Sequence, residues 1–356
     1  MCKLSRGATH LPDTLVDMCI SNPQPVRMWS KTVKQRHIAS GALLVTGIVA
    51  FGPGNFRLSR REGWPAPQRH HESAEQLAAT HQRQIAILSQ NMWNSFYAGG
   101  PQRLERMQAF KEFIQEAPAD ILVLQEMFTF GLGPLCEKSE AELFQQWMWE
   151  CGFLYQTSSL ATMPFLGQSS GLMICSKKPT FSERHRIFTE RRTVTAKGWL
   201  EVEVQLSSMD LVILTTHMEH AQTPKWRRVR EQQWREVVDR VKELLLEKDS
   251  VIVVGDFNVC GQELGIALDG GSEYKSMVAS FAQCGLAEVP LTSTLRANEA
   301  SLQSAPDHVF VTSSLKERLM HWEVLDTRGR NPEIEVSDHL ALFAKLNIEG
   351  SRPETR

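Results

Sequence analysis

A carboxylate and a carboxamide stand two residues apart at the end of an apolar run, in the stretch VIVVGDFNV at 251–259. The unbroken Val and Ile residues predict a strand that is covered on both faces, and Gly255 permits a sharp backbone exit. Side chains two apart on an extended segment point the same way, so Asp256 and Asn258 can converge just beyond the strand. Because Asp and Asn are also common turn formers, this stretch alone fits a simple turn equally well.

Polar side chains of the same kinds occur at the ends of other apolar runs. The set contains carboxylate, carboxamide and imidazole groups but no thiol: Asn91, Glu126, His217, Asp256 with Asn258, Asp307, and Asp338 with His339. Because α/β proteins place their sites at one edge of a sheet, we expect these groups to form a single cluster. Hard oxygen ligands suit Mg²⁺, Mn²⁺ or Ca²⁺ rather than Zn²⁺. The chemistry that this cluster predicts is metal-assisted hydrolysis of a phosphoester.

The residue types also suggest how the work would be divided. A divalent ion on Asn91 and Glu126 would polarise a phosphoryl oxygen and neutralise the charge that gathers on the phosphorus. Near neutral pH, His339 can take a proton from water if Asp307 orients and stabilises its ring. Further hydrogen bonds to the phosphate oxygens would come from Asn258 and His217.

The elements that must position these groups alternate along the chain, which predicts an α/β fold. Apolar runs predict strands at 84–91, 120–128, 170–177, 198–206, 210–220, 251–258, 307–312 and 337–348. Apolar residues at helical spacing predict helices over 101–117, 225–246 and near 273–284. The strict alternation of GWLEVEVQL at 198–206 predicts a half-exposed antiparallel strand.

Seven short motifs, in this order along the chain, resemble the motif set of the endonuclease/exonuclease/phosphatase superfamily. They are SQN (89–91), QE (125–126), SSGL (169–172), TH (216–217), GDFN (255–258), DHVFV (307–311) and SDH (337–339). Each motif alone is a weak signal, but the combined order is specific and extends from about 84 to 346. The resemblance implies a four-layer α/β/β/α sandwich of the deoxyribonuclease/sphingomyelinase type, with its site at one edge.

The resemblance also implies a role for each matching residue. Asn91 and Glu126 match metal-binding positions, and Asp338 lies beside the metal in many members of the family. Asp256 and Asn258 match the pair that positions the phosphate and the nucleophile. The catalytic histidines and the carboxylate that orients the second of them match His217, His339 and Asp307.

Fewer residues indicate the branch of the family. His217 resembles the secreted deoxyribonucleases and the neutral sphingomyelinases, and AKGWLEVEV at 196–204 resembles the sphingomyelinase pattern in which a Lys-Gly pair precedes a strand. THMEHA, followed by a helix containing RVREQ at 228–232, also resembles a sphingomyelinase segment. By this resemblance Lys197 would bind the lipid phosphate, although a solvated turn lysine fits its position equally. We therefore expect a sphingomyelinase-like phosphodiesterase with a phospholipid substrate at a membrane surface.

Other readings of the sequence remain open. A nuclease acting on DNA or RNA would need a basic groove, to which Arg184, Arg186, Arg191 and Arg192 could contribute. A phosphatase on a sugar or inositol phosphate would use the same phosphoryl-binding residues. A non-catalytic scaffold is disfavoured, because every expected metal and histidine position is retained. The sequence predicts no obligate protein partner.

Charge is unevenly distributed along the 356 residues, whose formal net charge is −2. Residues 1–82 carry ten Lys and Arg against five Asp and Glu, whereas the remainder carries 29 against 36. An acidic main domain gains no general electrostatic attraction for a polyanion, which argues mildly against nonspecific binding of nucleic acid.

The N-terminal region predicts a targeting segment. Residues 38–52 contain no charged residue and follow Lys31, Lys34 and Arg36, as in a secretory signal or signal-anchor, although a buried core helix is the alternative. Membrane association or secretion would follow, with Met28 as an alternative start. The predicted organisation is a basic extension (1–37), the apolar segment (38–52), a linker (53–82), the catalytic domain (83–349) and a short tail (350–356).

Overall fold

The computed structural model describes residues 83–349 apart from 96–101, 118, 133–134, 138, 158–166, 192–194, 261–270, 291–292 and 297–304. The predicted extension, targeting segment, linker and tail all lie outside the described residues, so those boundaries stay predictions. Within the described residues, no helix combines the length and the apolar character needed to cross a bilayer. The described helices are α1 (Arg103–Glu116), α2 (Ser139–Glu150), α3 (Pro224–Leu244), α4 (Ser272–Gln283) and α5 (Ser313–Arg318).

The strands form two large sheets and one small one. In chain order they are β1 (Gln84–Asn91), β2 (Ile121–Gln125), β3 (Phe130–Leu132), β4 (Leu135–Glu137), β5 (Tyr155–Gln156), β6 (Gly167–Gln168), β7 (Met173–Ser176), β8 (Thr180–Ile187), β9 (Gly198–Gln205), β10 (Asp210–His217), β11 (Val251–Asp256), β12 (Leu286–Glu288), β13 (Asp307–Thr312), β14 (Leu319–Leu325) and β15 (Ala341–Asn347). The first six-stranded sheet has the order β14-β15-β1-β2-β7-β5 and the second the order β12-β13-β11-β10-β9-β8. Strands β4, β3 and β6 form the small sheet.

Three apolar clusters hold the layers together. The first fills the space between the two large sheets, with β-branched and leucine side chains from both. The second joins α1 and α2 to the outer face of the first sheet, and the third joins α3 and α4 to the outer face of the second. This arrangement is the α/β/β/α sandwich that the sequence predicts.

The long helix α3 shows how the sequence produces this layering. Pro224 stands in its first turn, where its missing N–H costs nothing. Trp234, Val237 and Val241 recur at helical spacing and are buried against the second sheet. Burial of each such side chain contributes about 1.5–3 kcal/mol, so the apolar face holds the helix on the sheet.

Strand β9 corrects one sequence-based expectation. The alternation in residues 198–206 predicts a half-exposed strand, and β9 is indeed antiparallel to both neighbours. However, the polar face is also buried, because α3 and the turn after it cover that face and supply cations. Glu201 accepts hydrogen bonds from Arg240 at 2.6 and 2.9 Å, and Glu203 pairs with Lys248. The prediction of half exposure is therefore wrong.

The pairing of the strands brings the predicted site residues to one edge. Strands β1 and β2 are parallel, with Asn91 opposite Gln125, and β10 and β11 are parallel, with His217 opposite Asp256. Strand β13 runs antiparallel to β11, so that its first residue, Asp307, lies opposite Asp256. Strand β15 runs antiparallel to β1, so the loop that precedes β15 lies at the same edge.

Candidate metal and phosphoester site

Asn91 and Glu126 form the side of the site that belongs to the first sheet. Asn91 is the last residue of β1, and Glu126 follows β2 directly in a left-handed backbone conformation, with φ of 59°. The Asn91 Nδ2 donates to Glu126 Oε1 at 3.2 Å and to Asp256 Oδ2 at 3.0 Å. One carboxamide therefore bridges carboxylates from the two sheets.

The SSGL motif supports the backbone that carries Glu126. The Met127 N–H donates to Gly171 O at 2.8 Å. Gly171 has φ of 70°, and a Cβ at this position would lie 2.8 Å from the Phe128 ring and 3.0 Å from Glu126 Cα. A side chain at Gly171 would therefore push against Phe128 and the backbone of Glu126, so only glycine leaves Glu126 in its observed position.

The GDFN motif turns sharply at the end of β11. A Cβ on Gly255 would lie 2.2 Å from Thr216 O, so the close approach of the two strands requires glycine. Asp256 Oδ1 accepts the Asn258 N–H at 2.9 Å, and Asn258 adopts φ of 54°. The expectation that Asp256 and Asn258 point the same way along an extended segment is therefore wrong, because the chain turns between them. Asn258 still joins the cluster, since its Nδ2 donates to Met218 O at 3.0 Å.

His217 lies on the side of the site that belongs to the second sheet, next to a buried cation. Lys197 is 6% exposed and its Nζ lies 2.9 Å from His217 Nε2, so the alternative of a solvated turn lysine is wrong. The lysine also donates to Met218 O. His217 Nε2 lies 3.5 Å from Asp256 Oδ2 and 3.7 Å from Glu126 Oε1. Burial, together with the positive charge of Lys197, lowers the pKa of His217 well below its ordinary value.

His339 lies across Asp256 from His217 and has a carboxylate partner. Its Nδ1 lies 2.8 Å from Asp307 Oδ2, and its Nε2 lies 4.0 Å from Asp256 Oδ2. Burial alone would lower the pKa of His339, but the charges of Asp307, Asp256 and Asp338 outweigh it and raise that pKa well above the ordinary value. These three carboxylates therefore favour the protonated form of His339.

The pKa values of two buried carboxylates at the site, Glu126 and Asp256, are raised. Burial and the neighbouring Asp338 raise the pKa of Glu126 to about 7, although Lys197 acts in the opposite direction. Burial likewise raises the pKa of Asp256 to about 6. Glu126, His217 and Asp256 place one possible ligand atom each within 4.8 Å of one another. A divalent cation fits these residues, because it would supply positive charge to oxygen and imidazole donors.

The structure brings the predicted site residues together at one edge of the sandwich. Direct contacts link Asn91, Glu126, Lys197, His217, Asp256, Asp307 and His339, and Asn258 is joined through Met218 O. Asp338 is half-buried beside them, where its charge raises the pKa values of Glu126 and His339. The catalytic and metal-binding roles of these residues stay predictions.

Sequence reasoning missed several polar residues that contact the site, among them Thr294 and Gln90. Thr294 Oγ1 donates to Asp307 Oδ2 at 2.6 Å, and Gln90 Nε2 donates to His339 O at 3.1 Å. Gln90 precedes Asn91 in a motif that was recognised, so its position was a usable signal. Thr294 lies outside every motif and outside every predicted strand, and nothing in its local sequence sets it apart.

Comparisons with known proteins agree with this architecture. A model of the Endonuclease/Exonuclease/phosphatase family matches residues 88–339. No curated protein sequence gives a significant match to the chain.

Three of the similar solved structures show the range of proteins that share the fold. A beta toxin variant from Staphylococcus aureus with bound magnesium ions has a TM-score of 0.56 at 16% identity, with 73% of this chain and 98% of that chain covered. Sphingomyelinase C from Streptomyces griseocarneus has a TM-score of 0.55 at 17% identity, with 74% and 99% covered. D. rerio TDP2 complexed with single strand DNA product has a TM-score of 0.52 at 14% identity, with 74% and 99% covered. At these identities the likeness shows a shared fold.

Proposed function

Because this chain belongs to the endonuclease/exonuclease/phosphatase family and is a phosphoesterase of that family, we propose that it is a Mg²⁺- or Mn²⁺-dependent phosphodiesterase of the sphingomyelinase type. Its substrate would be a phospholipid at a membrane surface. One observation carries the proposal: Asp256 Oδ2 lies between two buried histidines whose pKa values are shifted in opposite directions. Such a pair offers a neutral and a charged imidazole on either side of one reaction centre.

The acidic side of the cluster would hold the cation. Glu126 and Asp256 offer carboxylate oxygens, and Asn91 contacts both of them through its carboxamide. When bound there, a divalent ion supplies positive charge to a phosphoryl oxygen and to the leaving oxygen. The magnesium ions in the beta toxin structure, which has the same fold, support the choice of Mg²⁺.

His339 is the candidate general base for in-line attack of water. Its Nδ1–H donates to Asp307 Oδ2, which fixes the ring and directs Nε2 toward Asp256. The raised pKa means that His339 must first release a proton before it can accept one from water. A divalent cation bound by Glu126 would disfavour the imidazolium form of His339. It would therefore lower the pKa of His339 toward its ordinary value. Asp256 would then orient the attacking water.

Lys197 and His217 would bind the phosphate group. Burial lowers the pKa of His217, and the Lys197 ammonium, whose Nζ lies 2.9 Å from His217 Nε2, lowers it further. The same ammonium is close enough to oppose the raised pKa values of Glu126 and Asp256. A phosphate oxygen that enters between these groups would meet a preorganised positive charge in a site largely shielded from water.

The choice of a phospholipid rests on two supports. The Lys-Gly pair that resembles the sphingomyelinase pattern is the pair whose lysine contacts His217. Sphingomyelinase C also shares the fold over 99% of its own length. The predicted apolar segment at 38–52 would place such an enzyme at a membrane.

A nuclease activity is the second candidate. Arg184 and Arg186 lie on the edge strand β8 and are exposed, and Arg186 pairs with Trp199, next to the strand end that carries Lys197. Arg191 donates to Phe188 O, and Arg192 lies outside the described residues. Arg186, near the strand end that carries Lys197, and Arg184 further along β8 could contact a nucleic-acid backbone, and TDP2 with its single strand DNA product shares the fold.

A direct comparison of substrates tests the proposal. Purified full-length protein is incubated with sphingomyelin vesicles, single-stranded DNA, plasmid DNA or an inositol phosphate, with Mg²⁺, with Mn²⁺ or with EDTA. We expect release of phosphocholine from sphingomyelin with either cation and none with EDTA. Cleavage of DNA alone would replace the phospholipid proposal with the nuclease, and release of inorganic phosphate alone would replace it with a phosphatase.

Two variants separate chemistry from folding in this assay. Glu126→Ala and His339→Ala should lose turnover while the protein stays folded, which circular dichroism checks. His321→Ala is the matched control, because His321 is 51% exposed on β14 and pairs with Glu323. Undiminished turnover in either site variant would contradict the roles proposed for these residues.

A further inference from the structure

Thr294 is a fully buried residue whose hydroxyl reaches the carboxylate beside His339. Thr294 is 0% exposed, and its Oγ1 lies 2.6 Å from Asp307 Oδ2. The same Oδ2 lies 2.8 Å from His339 Nδ1. Because an ionised carboxylate can only accept hydrogen bonds, the threonine O–H is the donor. Two donors, one from the hydroxyl and one from the imidazole, therefore converge on a single carboxylate oxygen.

Backbone hydrogen bonds hold the segment 293–296 without help from this hydroxyl. The segment runs beside the SDH loop, with a bridge between Leu295 and His339. Leu340 N–H donates to Thr294 O at 2.7 Å, and Arg296 N–H donates to Asp338 O at 2.9 Å. The Arg296 side chain adds a bond from Nε to Ser337 O at 2.7 Å. Removal of the hydroxyl alone would therefore leave the segment in place.

We propose that Thr294 is a positioning residue that fixes the carboxylate of Asp307 and, through it, the imidazole of His339. This inference rests on the proposed function, in which His339 transfers a proton. The last torsion of an aspartate side chain is broad and roughly two-fold, so a single hydrogen bond defines its orientation poorly. A second donor on the same oxygen restricts that torsion, and the Nε2 of His339 then keeps one direction toward the reaction centre.

Two substitutions distinguish the hydroxyl from the shape of the side chain. Thr294→Val keeps the branched shape and removes the donor, whereas Thr294→Ser keeps the donor and removes a methyl group. If Thr294 serves only as packing, the serine variant should be the more damaged. If the hydroxyl positions Asp307, the valine variant should be the more damaged and serine should restore activity.

Steady-state kinetics with bis(p-nitrophenyl) phosphate and Mg²⁺ provide the first readout. We expect kcat of Thr294→Val to fall about tenfold to a hundredfold, as for loss of a hydrogen bond to a charged group. KM should stay within roughly twofold, because the bond acts on proton transfer rather than on binding. Thr294→Ser should keep kcat within about threefold of the wild type. A valine variant as active as the wild type, or a serine variant as impaired as valine, would overturn the inference.

Ser293→Ala is the matched control for removal of a hydroxyl from the same segment. Ser293 Oγ donates to Leu295 O at 3.1 Å, within the segment itself. We expect its kcat to stay at the wild-type level. A fall as large as that of Thr294→Val would show that disturbance of the segment, and not the bond to Asp307, causes the effect.

Proton NMR of the metal-free protein separates this inference from the proposed function. The downfield Nδ1–H resonance of His339 is assigned through its loss in His339→Gln. We expect this resonance in the wild type and in Thr294→Ser, and its shift or exchange broadening in Thr294→Val. An unchanged resonance in Thr294→Val would sink the inference whatever the activity. If the resonance behaves as expected while the wild type hydrolyses no phosphodiester, the proposed function fails and the positioning role stands.

Discussion

The surroundings of His217 and of His339 contrast sharply, although both rings are buried and both face Asp256 Oδ2. His217 has a lysine ammonium 2.9 Å from its Nε2, and its pKa is lowered. His339 has the carboxylate of Asp307 2.8 Å from its Nδ1, and its pKa is raised. Burial alone would lower the pKa of both rings, so the sign of the neighbouring charge decides the difference.

This contrast teaches that equal burial permits opposite chemistry within a few ångströms. The lowered pKa of His217 favours a neutral ring that can accept a hydrogen bond or bind a metal ion, whereas the raised pKa of His339 favours a ring that carries a proton to transfer. A cation bound near Glu126 would oppose the imidazolium form of His339, because both are positively charged.

The largest effect is expected from loss of the charged ring itself. In His339→Gln, kcat for the phosphodiester substrate should fall about 10²–10⁴-fold, because that is the usual contribution of a positioned acid or base. Steady-state assays of the purified variant measure this fall, and the exposed His321→Gln serves as control. A decrease of less than about tenfold would assign the proton transfer to another group.

Removal of the carboxylate partner should have the next largest effect. In Asp307→Asn, the pKa of His339 should fall toward its ordinary value, because the carboxylate that raises this pKa most is lost. We expect kcat to fall about a hundredfold, since the ring is then less well held and the imidazolium that forms on proton transfer loses its carboxylate partner. NMR titration of the His339 ring measures the pKa, with Asp239→Asn on the exposed side of α3 as control. A titration midpoint that stays at the wild-type position would contradict the origin given for the raised pKa.

Removal of the Lys197 ammonium beside His217 should shift a histidine pKa in the opposite direction. Its effect on the rate should be smaller. In Lys197→Met, the pKa of His217 should rise part of the way toward its ordinary value, because burial, the larger cause of its lowering, remains. The rate should fall roughly tenfold, which is the lower end of the loss expected for one hydrogen bond to a charged group. Lys242→Met, at an exposed position of α3, is the matched control. If the pKa of His217 does not move in the lysine variant, the contact between the two side chains does not set it.

The smallest effect is a pH-dependent stabilisation by the cation. The folded-state pKa of Glu126 is raised to about 7. Between the unfolded pKa and this value, the folded protein therefore keeps a proton that the unfolded chain has lost. This group therefore loses its stabilising contribution as pH rises through about 7. A cation that binds the ionised carboxylate should restore stability there, so Mg²⁺ should stabilise by about 1 kcal/mol more at pH 8 than at pH 5.5.

Calorimetry with Mg²⁺ and with EDTA at both pH values measures this difference. Glu126→Gln should remove most of the pH dependence of the Mg²⁺ stabilisation, because the glutamine amide carries no titratable proton. An equal gain of melting temperature at the two pH values in the wild type would argue against Glu126 as a ligand.

Much of the fold could be predicted, and the exceptions share a cause. Strand β1 was predicted with its observed bounds, because its apolar residues stand in one run. Strands β8 and β14 were not predicted, since each mixes charged, polar and apolar residues at the edge of a sheet. The exposure of β9 was predicted wrongly for a related reason. Whether Glu201 meets water or Arg240 depends on a helix that begins more than twenty residues later.

The sequence by itself identified most of the residues that gather at the site. Asn91, Glu126, His217 and Asp256 each stand at the end of an apolar run, and parallel strands bring such ends to one edge. Only the tertiary structure decided how each group is ionised and held, because this depends on distances between residues far apart in the chain. Two such contacts join His217 to Lys197 and Asp307 to Thr294. The local sequence does not predict them, since electrostatic interactions and hydrogen bonds act through space over a few ångströms.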